Sequence, residues 1–221
     1  MFRPRERKLL ILSLLYAVIS IPVFLLTNRF VHAYYAINVF LAFVPFFIAC
    51  LVAQKKLNEP WKIGVAALLW LLFFPNAFYL WTDFIHLGGL QFYSQANPYA
   101  PLVYAQNLVD WIALIHTLFG ALLGTVFGAL SFWKMHQAVA SGWKRPLSMV
   151  FLLGVPLLSA IGIYIGRFLR FNSWDVFRPW IILGELAESL NGFSLGFIAL
   201  FFVGQSAVLW LAQPSHESAS S

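Results

Sequence analysis

The chain has 221 residues, of which 61% are apolar, 18% aromatic and only 10% charged. Soluble domains carry about 25% charged residues, so the composition excludes an ordinary water-soluble globule and points to a protein embedded in a membrane. The net charge of +6 comes from basic residues in short patches beside apolar runs, which is how orientation signals are distributed and not how a nucleic-acid surface is built.

Met1 to Lys8 is basic, with Arg3, Arg5, Arg7 and Lys8, and an apolar run follows from Leu9 to Thr27. Val31-His32-Ala33 reads as a small-x-small cleavage site, but the run is longer than a signal h-region, so an uncleaved first span is expected. A second span fits residues 35–53 and a third 62–81, each near the roughly 20 residues that cross a ~30 Å hydrocarbon core. Gly88-Gly89, Asn97-Pro98 and Pro101 break the chain between residues 88 and 106, which reads as a loop or re-entrant stretch. Further spans fit residues 108–133, 147–166 and 193–212. Between the last two, residues 167–191 are too polar to cross but hold the apolar patch Trp180 to Leu183, the pattern of a short interfacial helix. Residues 213–221 read as a disordered tail.

The expected fold is therefore all-α: one transmembrane domain over residues 9–212, a polytopic helix bundle of about six spans with a short interfacial helix. Ten Lys and Arg residues fall on the face of the N-terminus and four, Arg29, Arg167, Arg170 and Arg178, on the other. The positive-inside rule then puts both termini in the cytoplasm and the far ends of the third and fifth spans outside. Trp61, Trp81, Trp143, Trp174 and Trp180 fall at the boundaries, where aromatic belts belong. Small residues every four positions, Gly120/Gly124/Gly128, Gly162/Gly166 and Gly192/Gly196, predict close helix contacts. Cys50, the only cysteine, excludes an intrachain disulfide and a cysteine metal cluster.

Two stretches carry polar groups that hydrocarbon does not tolerate cheaply. On the third span Asn76, Tyr79, Asp83 and His86 recur at three, four and three residues, one stripe on an α-helix, with Thr82 beside them. Asp83 and His86, three apart, suit a general base or two ligands of one metal ion, fewer than the three or four such a site needs. Pro75 frees a carbonyl one turn back that the Asn76 side chain or a water can satisfy. The second stretch holds Arg167 and Arg170, one turn apart, with Asn172, Ser173 and Asp175 after them. Guanidinium forks bind carboxylate or phosphate bidentately, so the pair reads either as an anion clamp or as ion-pair partners of Asp83, Asp110 or Asp175. Asn107 and Asp110 open the fourth span as caps, and His116 reads as a helix-packing hydrogen-bonder. No P-loop, dinucleotide fingerprint, Gly-x-Ser-x-Gly or His-Glu-x-x-His motif is present, so these reactions have no motif-level support, and the sequence leaves any cofactor unknown.

Phe74 to Leu87 (FPNAFYLWTDFIHL) and Gly166 to Asp175 (GRFLRFNSWD) resemble the corresponding stretches of the DUF1361 family of bacterial integral membrane proteins. The resemblance extends over roughly residues 35 to 211. It implies a bacterial inner membrane location and no activity. The expected function is an extracytoplasmic polar pocket that binds or modifies an anionic lipid or lipid-linked envelope-glycan precursor. Asp83 and His86 would be catalytic, Arg167 and Arg170 anion-binding, and Asn76, Tyr79, Thr82, Asp110, Asn172 and Asp175 supporting. The alternatives are a small-solute or ion transporter, disfavoured because the charges gather at one end of the spans, and a non-catalytic assembly subunit in which the polar groups are staples.

Overall fold

The computed structural model describes residues 4–54, 56–57, 59–140 and 144–214. Lys55, Trp143 and residues 215–221 of the expected tail lie outside the described residues, as do the side chains of Ser173 and Trp174.

The chain is all-α, and six of its helices are long and apolar enough to cross a membrane. Helix α1 covers Pro4–Thr27 and α2 Val31–Ala53. The third crossing is built from three pieces, α3 (Pro60–Phe73), α4 (Pro75–Tyr79) and a 3-10 helix over Leu80–Leu87. Helix α5 (Leu108–Met135) widens into a π-helical turn at His136–Ala140, and α6 (Arg145–Tyr164) does so at Ile165–Leu169. Helix α7 (Pro179–Ser189) is the expected short interfacial element, and α8 (Gly192–Leu211) is the last crossing. The stretch expected to be a loop or re-entrant segment contains a two-stranded antiparallel ribbon, Tyr93 paired with Tyr104 and Ser94 with Val103. Its tip is closed by Gln95, whose amide donates to the carbonyl of Ala100 at 2.7 Å.

Two compact units make up the chain, one from Met1–Phe40 with Leu80–Leu123, the other from Leu41–Tyr79 with Gly124–Ser221. In the first, Tyr16 of α1, His32 and Tyr35 of α2, and Ala113 and His116 of α5 are buried, while Leu14, Leu15, Val18 and Ile19 of α1 are exposed. An apolar exterior around a partly polar interior is what hydrocarbon favours, since lipid offers no penalty to leucine and no partner to histidine. In the second unit the interior is aromatic: Phe46 lies 5.4 Å from Phe127, and Trp70 stacks on Phe151 at 5.9 Å. Trp133 of α5 donates its indole N–H to the Leu209 carbonyl of α8 at 2.9 Å. Asn191 caps α8, accepting from the Phe193 and Ser194 N–H groups at 2.9 and 3.0 Å.

The glycines divide into two kinds. A Cβ at Gly128 would sit 2.7 Å from the Phe78 ring and one at Gly162 2.8 Å from Pro75, so both let α4 approach its neighbours closely. Gly120 does the same for the Tyr16 hydroxyl. Gly192 and Gly196, expected to be contact glycines as well, face open space within 4 Å. The spacing is common to both kinds because a four-residue period defines a helix face and leaves open whether another helix covers it. Gly128→Leu and Gly162→Leu are expected to lower stability by about 1–3 kcal/mol through overpacking, and Gly196→Leu to leave it nearly unchanged. The unfolding midpoint of detergent-solubilised protein checks the contrast.

Candidate functional site

The geometry of the polar stretch starts at Pro75, which has no N–H to donate one turn back. Helix α3 stops at Phe73, and the Ala77 N–H bonds the Phe74 carbonyl at 3.1 Å, leaving the Phe73 carbonyl without its usual partner. Asn76 fills that place, its side-chain amide donating to the Phe73 carbonyl at 3.0 Å. As the sequence led one to expect, the Asn76 side chain satisfies a carbonyl at the proline break.

Beyond Tyr79 the winding tightens to about three residues per turn. The stripe expected from α-helical spacing loses its phase at that point. Asn76 and Tyr79 belong to the second unit, while Thr82, Asp83 and His86 belong to the first. Thr82 and Asp83 are buried, Asp83 with 3% of its surface exposed, whereas His86 is exposed one turn further on. The Asp83 carboxylate accepts from the Asn38 amide at 3.0 Å, and its backbone carbonyl accepts from the Tyr35 hydroxyl at 3.2 Å. Arg29 donates to the His86 carbonyl at 3.4 Å, and the His86 and Tyr35 rings lie 6.3 Å apart. Asp110 is where capping places it: Asn107 accepts from the Val109 N–H at 3.1 Å and donates to the Asp110 carboxylate at 2.9 Å.

The same unit contains a polar cluster that the sequence did not single out. The His116 Nε2 lies 2.9 Å from the Ser20 hydroxyl, and its Nδ1 lies 3.1 Å from the Nδ1 of His32. The Tyr16 ring stacks on that of His116 at 4.5 Å, and Tyr16 donates to the His116 carbonyl at 3.2 Å. His116 therefore holds α1 and α2 at once, in keeping with a hydrogen-bonding packing role but with more partners than one such role requires. A sequence signal existed in the spacing: Tyr16 and Ser20 are four apart and His32 and Tyr35 three, each pair on one helix face. His32 was hidden by its place in an apparent cleavage site.

In the second unit Gly166 permits close approach, since a Cβ there would lie 3.3 Å from the Tyr79 ring. Arg167 follows directly, with its guanidinium carbon 4.6 Å from the Tyr79 ring centroid, a cation–π contact that orients the fork. The chain then turns through Arg170, which adopts φ 60°, ψ 27°. That left-handed conformation is uncommon for a residue with a side chain, and it leaves Arg170 exposed. Asn172 and Asp175 cap each other's turn, the Asp175 carboxylate accepting from the Asn172 N–H at 2.7 Å. Among the described residues no three or more His, Cys, Asp or Glu side chains converge as a metal-binding set, so Asp83 and His86 have no third ligand of that kind there.

The chain matches the model of DUF1361, a protein family of unknown function, over residues 37–208 and belongs to that family. No curated protein and no solved structure matches it.

The buried Asp83 carboxylate makes Asn38 testable. Asn38→Leu removes a hydrogen bond to a buried carboxyl oxygen and is expected to lower stability by about 1–3 kcal/mol. Asp83→Leu made together with Asn38→Leu should cost less than the sum of the two single changes, a coupling read from a double-mutant cycle of unfolding midpoints.

Proposed function

We propose that this DUF1361 protein is an inner-membrane protein with both termini in the cytoplasm, which binds an anionic headgroup at the extracytoplasmic end of its fifth crossing. The ligand is a phosphate-bearing lipid or lipid-linked glycan precursor. Arg167 and Arg170 are the binding groups. The observation that carries this reading is the backbone of Arg170, a non-glycine residue held at φ 60° where glycine or asparagine is the usual choice. Left-handed conformations of this kind cost of order 1 kcal/mol or more and persist where something offsets them. What this one provides is a second guanidinium three residues after the one braced on Tyr79.

Several features support a phosphate on a lipid over a soluble anion. Helix α7 follows within ten residues and exposes Trp180 and Leu183, side chains suited to the boundary between headgroups and acyl chains. Both arginines run against the charge bias of the rest of the chain, which favours the opposite face. Cations beside the last turn also complement the partial negative charge of a helix C-terminus, so they reside there at little electrostatic cost while unliganded. Asn172 and Asp175 support the turn that presents Arg170.

Arg170→Gly separates binding from folding. It is expected to raise stability by about 1 kcal/mol, because glycine takes the left-handed conformation without strain, and to weaken headgroup binding by about tenfold or more, the loss of one charge-assisted contact. Native mass spectrometry of the purified protein with phosphatidylglycerol, a polyprenyl phosphate and zwitterionic phosphatidylcholine measures both ligand class and affinity. Equal retention of all three lipids by the unaltered protein and by Arg170→Gly overturns the proposal. Arg167→Lys, which keeps the charge and loses the planar fork, should also bind more weakly.

A further inference from the structure

The His116 cluster contains one buried atom whose bonding is incomplete, and donor–acceptor bookkeeping identifies its protonation. The Ser20 hydroxyl has a single proton, which it donates to the Tyr16 carbonyl at 2.8 Å. Nε2 of His116, 2.9 Å from the same oxygen, is therefore the donor in that contact. A neutral imidazole carries one N–H, so Nδ1 of His116 has a lone pair, and Nδ1 of His32 at 3.1 Å donates to it. The Tyr16 hydroxyl also lies 3.4 Å from this nitrogen, but its one proton goes to the His116 carbonyl at 3.2 Å, so it does not donate to Nδ1. Nε2 of His32 is left with a lone pair, buried, and without a hydrogen-bond partner among the described residues, in a side chain only 2% exposed.

We propose that the His32–His116 pair is a one-proton acceptor, taking a proton at Nε2 of His32 and sharing the resulting charge between two rings. Protonation there leaves every existing bond in place. The His32 imidazolium still donates through Nδ1, and if that proton crosses to His116, both nitrogens of His116 become donors, to His32 and to Ser20. No bond of the array has to break for the charge to move between the rings. Aromatic faces flank the His116 ring: that of Tyr16 stacks on it at 4.5 Å and that of Tyr35 lies nearly parallel to it at 6.0 Å. Tyr35 also meets the His32 ring edge to face at 5.3 Å.

The titratable and charged groups around the pair are few. Tyr16 lies on α1, Tyr35 on α2, Asp83 and His86 on the 3-10 helix, and Arg29 in the turn three residues before His32. The buried Asp83 carboxyl is held by Asn38, and the Asp83 carbonyl is bonded to Tyr35. Arg29 opposes the added proton, and its guanidinium is directed to the His86 carbonyl. The pair thus gives the unit a basic group of its own, separate in residues from the arginines to which anion binding is assigned and independent of that assignment. Tyr16, Ser20 and His32 all precede residues 37–208, the range the family model covers.

The test uses the full chain in detergent micelles with ¹⁵N-labelled imidazole rings. The sequence has five histidines, and the pair identifies itself as the two whose Nδ1 atoms share a scalar coupling across the hydrogen bond. At neutral pH one ring of the pair should carry its proton on Nδ1 and the other on Nε2. On acidification the first should gain an Nε2 proton while the coupling persists and the near-ultraviolet circular dichroism stays native. His32→Gln should then take up one proton fewer per molecule than the unaltered protein over the same titration. Absence of the coupling, a proton already on Nε2 of His32 in the neutral protein, or protonation only with loss of the native dichroism each overturns the proposal. Because the coupling and the dichroism are read on the unaltered chain, the outcome does not depend on the variant folding.

Discussion

Hydrocarbon gives the backbone no hydrogen-bond partners, and this constraint decides how the third crossing is built. A proline at position 75 forces a break, and the break is tolerated because Asn76 supplies the donor that the Phe73 carbonyl lacks. The break permits a short α4 whose flanks are contacted closely through Gly128 and Gly162. It also lets the chain re-form in the tighter 3-10 winding that places Thr82 and Asp83 in the interior and His86 outside. Within a few residues of the proline break lie a change of helix type, two close glycine contacts and the divide between buried Asp83 and exposed His86.

The same constraint governs the polar side chains. Buried donors and acceptors in lipid gain by finding each other, and in the first unit two centres gather them, with Nε2 of His32 left over. Asp83 gathers Asn38 and Tyr35, while His116 gathers Ser20, Tyr16 and His32. In the second unit the arginines sit where α6 ends in a π-helical turn, one braced on an aromatic ring and one turned outward by its own backbone.

Much of the fold was legible from hydropathy and breakers alone. All six crossings and the interfacial helix appear where apolar run lengths place them, with ends moved by a few residues where helices continue into interfacial turns. The ribbon at Tyr93 and Val103 was not legible, since two residues per strand leave no alternation to read. The two motifs were legible as motifs. Their internal phase was not, because spacing along a sequence translates into a face only once the helix type is known, and the switch at Leu80 has no strong compositional mark.

By itself the sequence determined that this is an all-α membrane protein of six crossings, with arginines after α6 and an acid and an imidazole near the end of the third crossing. Those properties follow from transfer free energies and run lengths, which are local. Tertiary structure alone decided which polar groups meet: that Asp83 faces Asn38, that His32 faces His116, and that Arg167 lies on Tyr79. Such pairings join residues tens of positions apart, and their geometry depends on helix phase, proline breaks and glycine approaches acting together, none of which a single stretch of chain specifies.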